Sequence, residues 1–364
     1  MAAHLTAPAP DTEIGDGAAA LAAEAYLVVV DDPHRADGLA REALRRARRA
    51  RDPATVSAAC RALGMAALEL DRADTAVAHL EAAVRAGRRA GPQLEANART
   101  SLALALVNGG AGRRALRHAD LAVGLIGVPE RGAVHLGRAL VRERLGRLDG
   151  ALEDYREALA AFQRVGDRNC EARVLCNRGV LQTYRGALGA AEADLRRAER
   201  LCRDLNLDLM AASVHQNLGF VAAQRGNVVT ALECYDRVQG TFALLGGTRY
   251  AVLELDRCGL MLVTGLLPEA RTSADRAVQA LERTGMGAEL AEARLLSAEV
   301  SLSEREWPRA AAVADQARRA FVAQRRSNWA ALAGFAAVRA TWNSEGASTA
   351  LLERSRRIAR ELER

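Results

Sequence analysis

Apolar positions along this chain recur at helical spacing, and the small ones recur again at a much longer interval. Residues 174 to 201 read VLCNRGVLQTYRGALGAAEADLRRAERL, and residues 214 to 241 read VHQNLGFVAAQRGNVVTALECYDRVQGT. Asn177 aligns with Asn217, Gly179 with Gly219, Arg185-Gly186 with Arg225-Gly226, and Ala191 with Ala231, an offset of 40 residues. The same interval runs through Ala36, Ala76, Ala115, Ala151, Ala191, Ala231, Ala270, Ala310 and Ala350, with gaps of 36 to 40. Seven residues beyond these stand Ala43, Ala83, Ala122, Ala158, Ala198, Val238, Ala277 and Ala317; the last repeat departs, with Arg357. Four residues beyond the first set, Leu80, Tyr155, Leu195 and Tyr235 supply bulk. Offsets of four and seven fall on one helical face, so each unit is predicted to hold a helix with a small-residue seam. All nine alanines are expected to be buried near the start of that helix.

Five residues before the alanine, Gly110, Gly146, Gly186, Gly226 and Gly265 hold one common place. Glycine there adopts the left-handed conformation that ends a preceding helix. Pro268 and Pro308, two residues before their alanines, suit the first turn of the next helix. Each unit is therefore helix, glycine turn, helix. The order Leu63-Gly64…Ala76…Leu80…Ala83, seen again as Leu218-Gly219…Ala231…Tyr235…Val238, resembles the tetratricopeptide pattern, with a longer period. The expectation is an all-α, tetratricopeptide-like α-solenoid of about nine hairpins over residues 17–364, following a flexible tail at 1–16. The repeats fall near 17–55, 56–94, 95–130, 131–170, 171–210, 211–249, 250–289, 290–329 and 330–364. One hairpin cannot bury its apolar face alone, so stacking into a right-handed superhelix is expected.

Composition agrees with helices that approach over small side chains. Half the residues are apolar but only 4% are aromatic, and proline appears 8 times. All 51 basic residues are arginine, which excludes a G-x-x-x-x-G-K phosphate loop and any Schiff-base lysine. The net charge of +6 is modest, and the densest basic run, Arg41 to Arg51, lacks the interleaved aromatics of a nucleic-acid platform. A solvated helix face is the better reading, and nucleic acid is disfavoured as a partner. Six cysteines form no C-x-x-C pair and the histidines are scattered, so buried free thiols are expected rather than a zinc site; no cofactor is implied. The amino terminus has no signal-peptide pattern and YLVVV is too short to span a bilayer, so a cytoplasmic protein without a membrane partner is expected. His135 and His215 recur at equivalent positions and are expected to be packed; His79 and His118 are expected to be solvated. No Ser/His/Asp or Cys/His set is evident, and Glu153 and Asp154 diverge around a helix, so no catalytic residues are assigned.

The stretches NRGVLQTYRGALGAAEADLRRAERL, NLGFVAAQRGNVVTALECYDRV and LELDRCGLMLVTGLLPEARTSADRAV together resemble the amino-terminal repeat region of actinobacterial TPR–CHAT proteins. The resemblance covers most of residues 55 to 345. It implies a caspase-like peptidase domain following the repeats, whereas this chain ends at RRIARELER, and no peptidase role carries over to any residue here. The expectation is a non-enzymatic regulatory or partner-sensing arm of such a peptidase.

In arrays of this type the first helix of each unit lines the inner groove. Arg173, Asn177, Val180 and Tyr184, then Ser213, Asn217, Phe220 and Gln224, each run i, i+4, i+7, i+11 along one stripe. Gly137 and Asp256 stand where the asparagines do in flanking repeats, and Ser101 one repeat earlier. An amide offers both donor and acceptor, so a column of asparagines can pair with an extended backbone, and peptide-binding tetratricopeptide proteins use groove asparagines this way. Tyr184 and Phe220 would flank the ligand, and Arg173 would meet an acidic side chain. The competing reading makes Asn177 and Asn217 structural bridges within the stack. A protein or peptide partner is thus expected, with self-association through an uncovered end of the array: at the amino end AAALAAEAYLVVV is apolar nearly all round, and the last helix carries Leu351, Leu352, Ile358 and Leu362 on one side. The alternatives are a stand-alone peptide-responsive regulator, and a nucleic-acid adaptor using Arg41 to Arg51 with Arg85, Arg88, Arg89, Arg113, Arg114 and Arg117.

Overall fold

The computed structural model describes residues 17–30, 32–70, 72–127, 131–245, 247–284, 287–324 and 326–362; the expected tail at 1–16 lies outside them. Eighteen α-helices occupy this span, arranged as nine consecutive pairs. They are α1 (Gly17–Val28) with α2 (Pro33–Ala50), α3 (Pro53–Glu69) with α4 (Ala73–Ala90), α5 (Pro92–Asn108) with α6 (Gly112–Leu125), and α7 (Gly132–Arg144) with α8 (Leu148–Val165). Then come α9 (Arg168–Tyr184) with α10 (Leu188–Asp204), α11 (Asp208–Gln224) with α12 (Val228–Leu245), and α13 (Gly247–Val263) with α14 (Leu267–Thr284). Last are α15 (Gly287–Ser303) with α16 (Trp307–Ala323), and α17 (Ser327–Glu345) with α18 (Thr349–Leu362). The chain divides into two compact units, 2–217 and 218–364.

The seam alanines explain how each pair closes. Eight of them, Ala36 through Ala310, are the fourth residue of their second helix and have no exposed surface. Each donates its amide to the carbonyl of the residue just before the helix, as Ala191 does to Ala187 at 3.0 Å. Opposite the seam the first helix is also small. A Cβ placed on Gly179 would lie 2.8 Å from Leu195 Cγ, and one on Gly219 would lie 2.6 Å from Tyr235 Cε1. Small residues on one helix thus admit the bulky residue of the other.

The ninth alanine corrects the expected register. Ala350 is exposed, and so is Arg357. Leu351 and Ile358, one residue later in each case, pack against Ala331 and Val338 of α17. The cause is a longer α17, which runs to Glu345 and places its left-handed residue at Gly346 (φ 81°). This also removes two of the apolar residues expected to be uncovered at the last helix. Leu352 is exposed, whereas the side chain of Leu362 lies outside the description.

All five turn glycines are left-handed, with φ from 70° at Gly146 to 78° at Gly265. At the equivalent place in the eighth pair Arg305 takes the same conformation (φ 62°), so the turn is set by the hairpin and glycine merely relieves it. Gly186→Ala should therefore fold normally and lose about 1 kcal/mol, read as a small downward shift in the urea midpoint. Between pairs, Asp52 caps α3 through the amides of Ala54 and Thr55, with Pro53 at the first helical position. Asp167 caps α9 through Cys170.

Candidate functional site

Within the 2–217 unit the predicted stripe lies on α9 and the first part of α11. Tyr184, at the last position of α9, is 61% exposed. Asn177 is half-buried and makes no hydrogen bond among the described residues. Ser213 is half-buried and donates to Leu209 O of its own helix at 3.2 Å. Asn217 is half-buried too, and its Nδ2 donates to Cys176 Sγ of α9 at 3.1 Å. That contact locates the asparagine position at the seam between successive first helices. The same place two repeats earlier is Gly137, whose backbone lies so close to Thr100 of α5 that a Cβ there would collide with the Thr100 methyl.

Arg173 departs from expectation. It is 7% exposed, with Nη1 3.7 Å from Cys170 Sγ, and sits on the face of α9 that includes Cys176. It offers no open guanidinium to a ligand. In the 218–364 unit, Phe220 and Asp256 are half-buried and Gln224 is exposed. Asp256 acts on the fully buried Tyr235: burial raises the pKa of that hydroxyl far above its ordinary value, and the Asp256 charge adds to the effect.

The charged network inside α7 and α8 was not anticipated. Asp154 is almost wholly buried and accepts from His135 Nδ1 at 2.9 Å and Arg138 Nη2 at 2.7 Å, with Arg142 Nη1 at 2.8 Å. Burial pushes its pKa up, but the hydrogen bonds from His135 and Arg138 and the charges of Arg138 and Arg142 outweigh that and hold it below the ordinary value. The next pair repeats the arrangement, with Arg178 donating to both Asp194 oxygens at 2.6 Å. The signal was present in the sequence: arginine stands 16 residues before aspartate in both pairs.

The remaining chemistry-bearing groups are engaged in packing. His135 is buried, and His215 is half-buried with Nε2 3.6 Å from Glu199. His118 corrects the expectation of a solvated ring: it is half-buried, and its Nδ1 lies 3.1 Å from Arg99 Nη1. Burial first, then the neighbouring arginine charges, lower its pKa, so the ring is neutral and accepts from the guanidinium. His79 is likewise half-buried rather than solvated. The six cysteines are unbonded, five buried and Cys234 half-buried. Burial pushes the thiols of Cys170, Cys176 and Cys258 up to about 12, which keeps them protonated and unreactive. In the Arg41–Arg51 run, Arg41 pairs with Asp37, and Arg45 and Arg46 with Glu42, on an exposed face of α2. A cavity of about 250 Å³ opens between α10 and α11, lined by Glu199, Cys202, Arg203, Asn206, Asp208, Ala211 and His215. No described helix is long and apolar enough to cross a membrane.

With this geometry in hand, comparison with known proteins defines the class. Residues 130–204 match the family model of the tetratricopeptide repeat. A Rap protein complexed with competence and sporulation factor is similar over 95% of this chain and 99% of its own, at 12% identity and a TM-score of 0.58. NprR in complex with its cognate peptide NprX is similar over 74% of this chain and 80% of its own, at 12% identity and a TM-score of 0.55. Aspartyl phosphate phosphatase F from Bacillus subtilis is similar over 86% and 96%, at 12% identity and a TM-score of 0.55. At such identities the likeness is one of fold. The sequence matches no curated protein. Residues 130–204 carry the tetratricopeptide repeat, and the chain as a whole has a tetratricopeptide-like all-α helical-repeat fold.

Proposed function

We propose that this scaffold binds an extended peptide segment and acts as a peptide-responsive regulatory arm, without catalysis of its own. The observation that carries the reading is Asn177: a half-buried amide on the predicted stripe, with no hydrogen-bonding partner among the described residues, one helix end away from the exposed Tyr184 ring. A ligand backbone would satisfy both its donor and its acceptor, and the Tyr184 ring would pack beside it. Asn217 contributes more to the stack, through Cys176. Ser213 completes this side of the groove. In the 218–364 unit Phe220, Gln224 and Asp256 occupy the corresponding stripe. The structures most informative for this reading are a Rap protein and NprR, each solved with a bound signalling factor or peptide. A second reading, favoured by the resemblance of the central repeats to TPR–CHAT proteins, makes the same surface the sensing arm of a caspase-like peptidase in the cytoplasm.

The two asparagines separate the binding role from the structural one. Asn177→Ala should leave the thermal midpoint unchanged and weaken binding by roughly 1 to 3 kcal/mol, measured by anisotropy with fluorescein-labelled random-sequence short peptides. Asn217→Ala should instead lower stability by about 0.5 to 1.5 kcal/mol. Unchanged peptide affinity in a stably folded Asn177→Ala, Tyr184→Ala double variant would sink the groove reading.

A further inference from the structure

Eleven residues after each seam alanine, near the end of the second helix, stands a side chain that closes the gap between successive pairs. Ile126, Phe162, Phe242, Leu281 and Phe321 hold that place, and all are buried. Ile126 packs among Ala96 and Val134, Leu281 among Ala251 and Ala293, and Phe321 among Ala291, Ala330 and Ala333. Each therefore bridges the first helix of its own pair and the first helix of the next. The first two pairs carry the small Ala47 and Gly87 there, both buried, and at Gly87 the backbone of α5 closes in: a Cβ would lie 2.9 Å from Glu95 Cα. In α10 the place belongs to Cys202, and there the space stays open as the cavity of about 250 Å³ between α10 and α11. Ala211 on its α11 wall is the counterpart of Ala330, which packs with Phe321, and of Leu290, which packs on the cluster around Leu281. The cavity thus stands where other pairs hold a large apolar side chain.

We propose that this cavity binds a small aromatic ammonium ion, with its ring in the place of the missing side chain and its ammonium group on Glu199. Size sets the first half of that assignment. An apolar cavity of about 150 Å³ admits benzene, so this one has room for a single ring and a short chain. Charge sets the second half. Arg203 and Asp208 are exposed and opposite in sign, so they offset each other at the mouth. Glu199 lies deeper, with its side chain 16% exposed. Its Oε2 accepts from Arg196 Nη1 at 3.2 Å, while its Oε1 is 3.6 Å from His215 Nε2, too far for a hydrogen bond. An ammonium donor would fill that gap with a charge-assisted bond. Ala211 and His215 lie on the opposite side of α11 from Ser213 and Asn217, so the site is independent of the asparagine stripe. The amino end of a peptide that begins with phenylalanine carries the same two groups, and the experiment separates the two sources.

Titration calorimetry on the full chain with phenethylamine tests this, with phenylacetate as the anionic control and a tripeptide beginning with phenylalanine as a further arm. Saturable one-to-one binding of phenethylamine is expected, with phenylacetate weaker by about tenfold or more. Glu199→Gln should weaken phenethylamine by about tenfold and leave the helical circular dichroism unchanged. Cys202→Phe should abolish binding and raise the thermal midpoint, because it restores the side chain that Phe162 and Phe242 supply in the neighbouring pairs. Ala211→Leu fills the cavity from the other wall, as Leu290 does in its pair, and decides the matter if Cys202→Phe fails to fold. Absence of saturation at millimolar phenethylamine, equal binding of phenylacetate, or unchanged affinity in Glu199→Gln or in a folded cavity-filling variant would each overturn the proposal. Binding of the tripeptide alone would overturn it in favour of a peptide end.

Discussion

Replacing Asp154 by alanine should cost the 2–217 unit about 3 to 5 kcal/mol, because it removes the buried carboxylate that Arg138 and Arg142 pair with and leaves His135 Nδ1 without its partner, Arg138 keeping only the exposed Asp120. The carboxylate is almost completely enclosed and receives three donors, so water cannot replace it. The effect also has a pH signature. Since the folded-state pKa of Asp154 is depressed, its contribution is fully present above the ordinary carboxylate pKa of about 4 and is lost as pH falls through the lower folded value. The stability gap between the parent chain and Asp154→Ala should therefore be widest near neutrality and shrink in acid. Urea denaturation at a series of pH values measures this; a gap that stayed constant down to strongly acidic pH would show that the network contributes through packing and not through charge.

Ala191→Leu should lower stability by about 1 to 3 kcal/mol through overpacking. Ala191 has no exposed surface, and a Cβ built on the facing Gly179 would already lie 3.2 Å from the Ala191 carbonyl oxygen. The three added carbons of leucine have to be accommodated by parting α9 from α10. The matching control is Ala350→Leu, in the ninth pair, where the side chain is exposed and little change is expected. Equal denaturation midpoints for parent and Ala191→Leu would contradict the seam.

The contrast between these two alanines marks where periodicity stops being informative. Spacing alone places both at the same point of the repeat. Ala350 is displaced because α17 continues to Glu345 before turning at Gly346, and Leu351 and Ile358 then offer more apolar surface to α17 than Ala350 and Arg357. Burial favours the register with the larger apolar side chains, by about 25 cal/mol for each Å². The turn at Arg305 is a second instance: a local preference for glycine yields to the closure of the hairpin.

The stripe on the first helices was legible as a stripe, but its depth was not. Arg173, Asn177, Val180 and Tyr184 share a face by spacing, yet they run from buried to well exposed. The reason is that the next first helix covers part of that face, and how much it covers depends on the approach of two helices some 40 residues apart. Asn217 acquires Cys176 as a partner for that reason.

What the sequence determined by itself is the hairpin: helix type, turn position and seam follow from local spacing, since offsets of four and seven and a left-handed glycine act within one pair. What only the tertiary structure decided is which side chains the neighbouring pair encloses. The buried Asp154 network, the neutral His118 and the covered Arg173 all depend on the distance between helices, and side-chain burial is a property of that distance rather than of any residue's own place in the repeat.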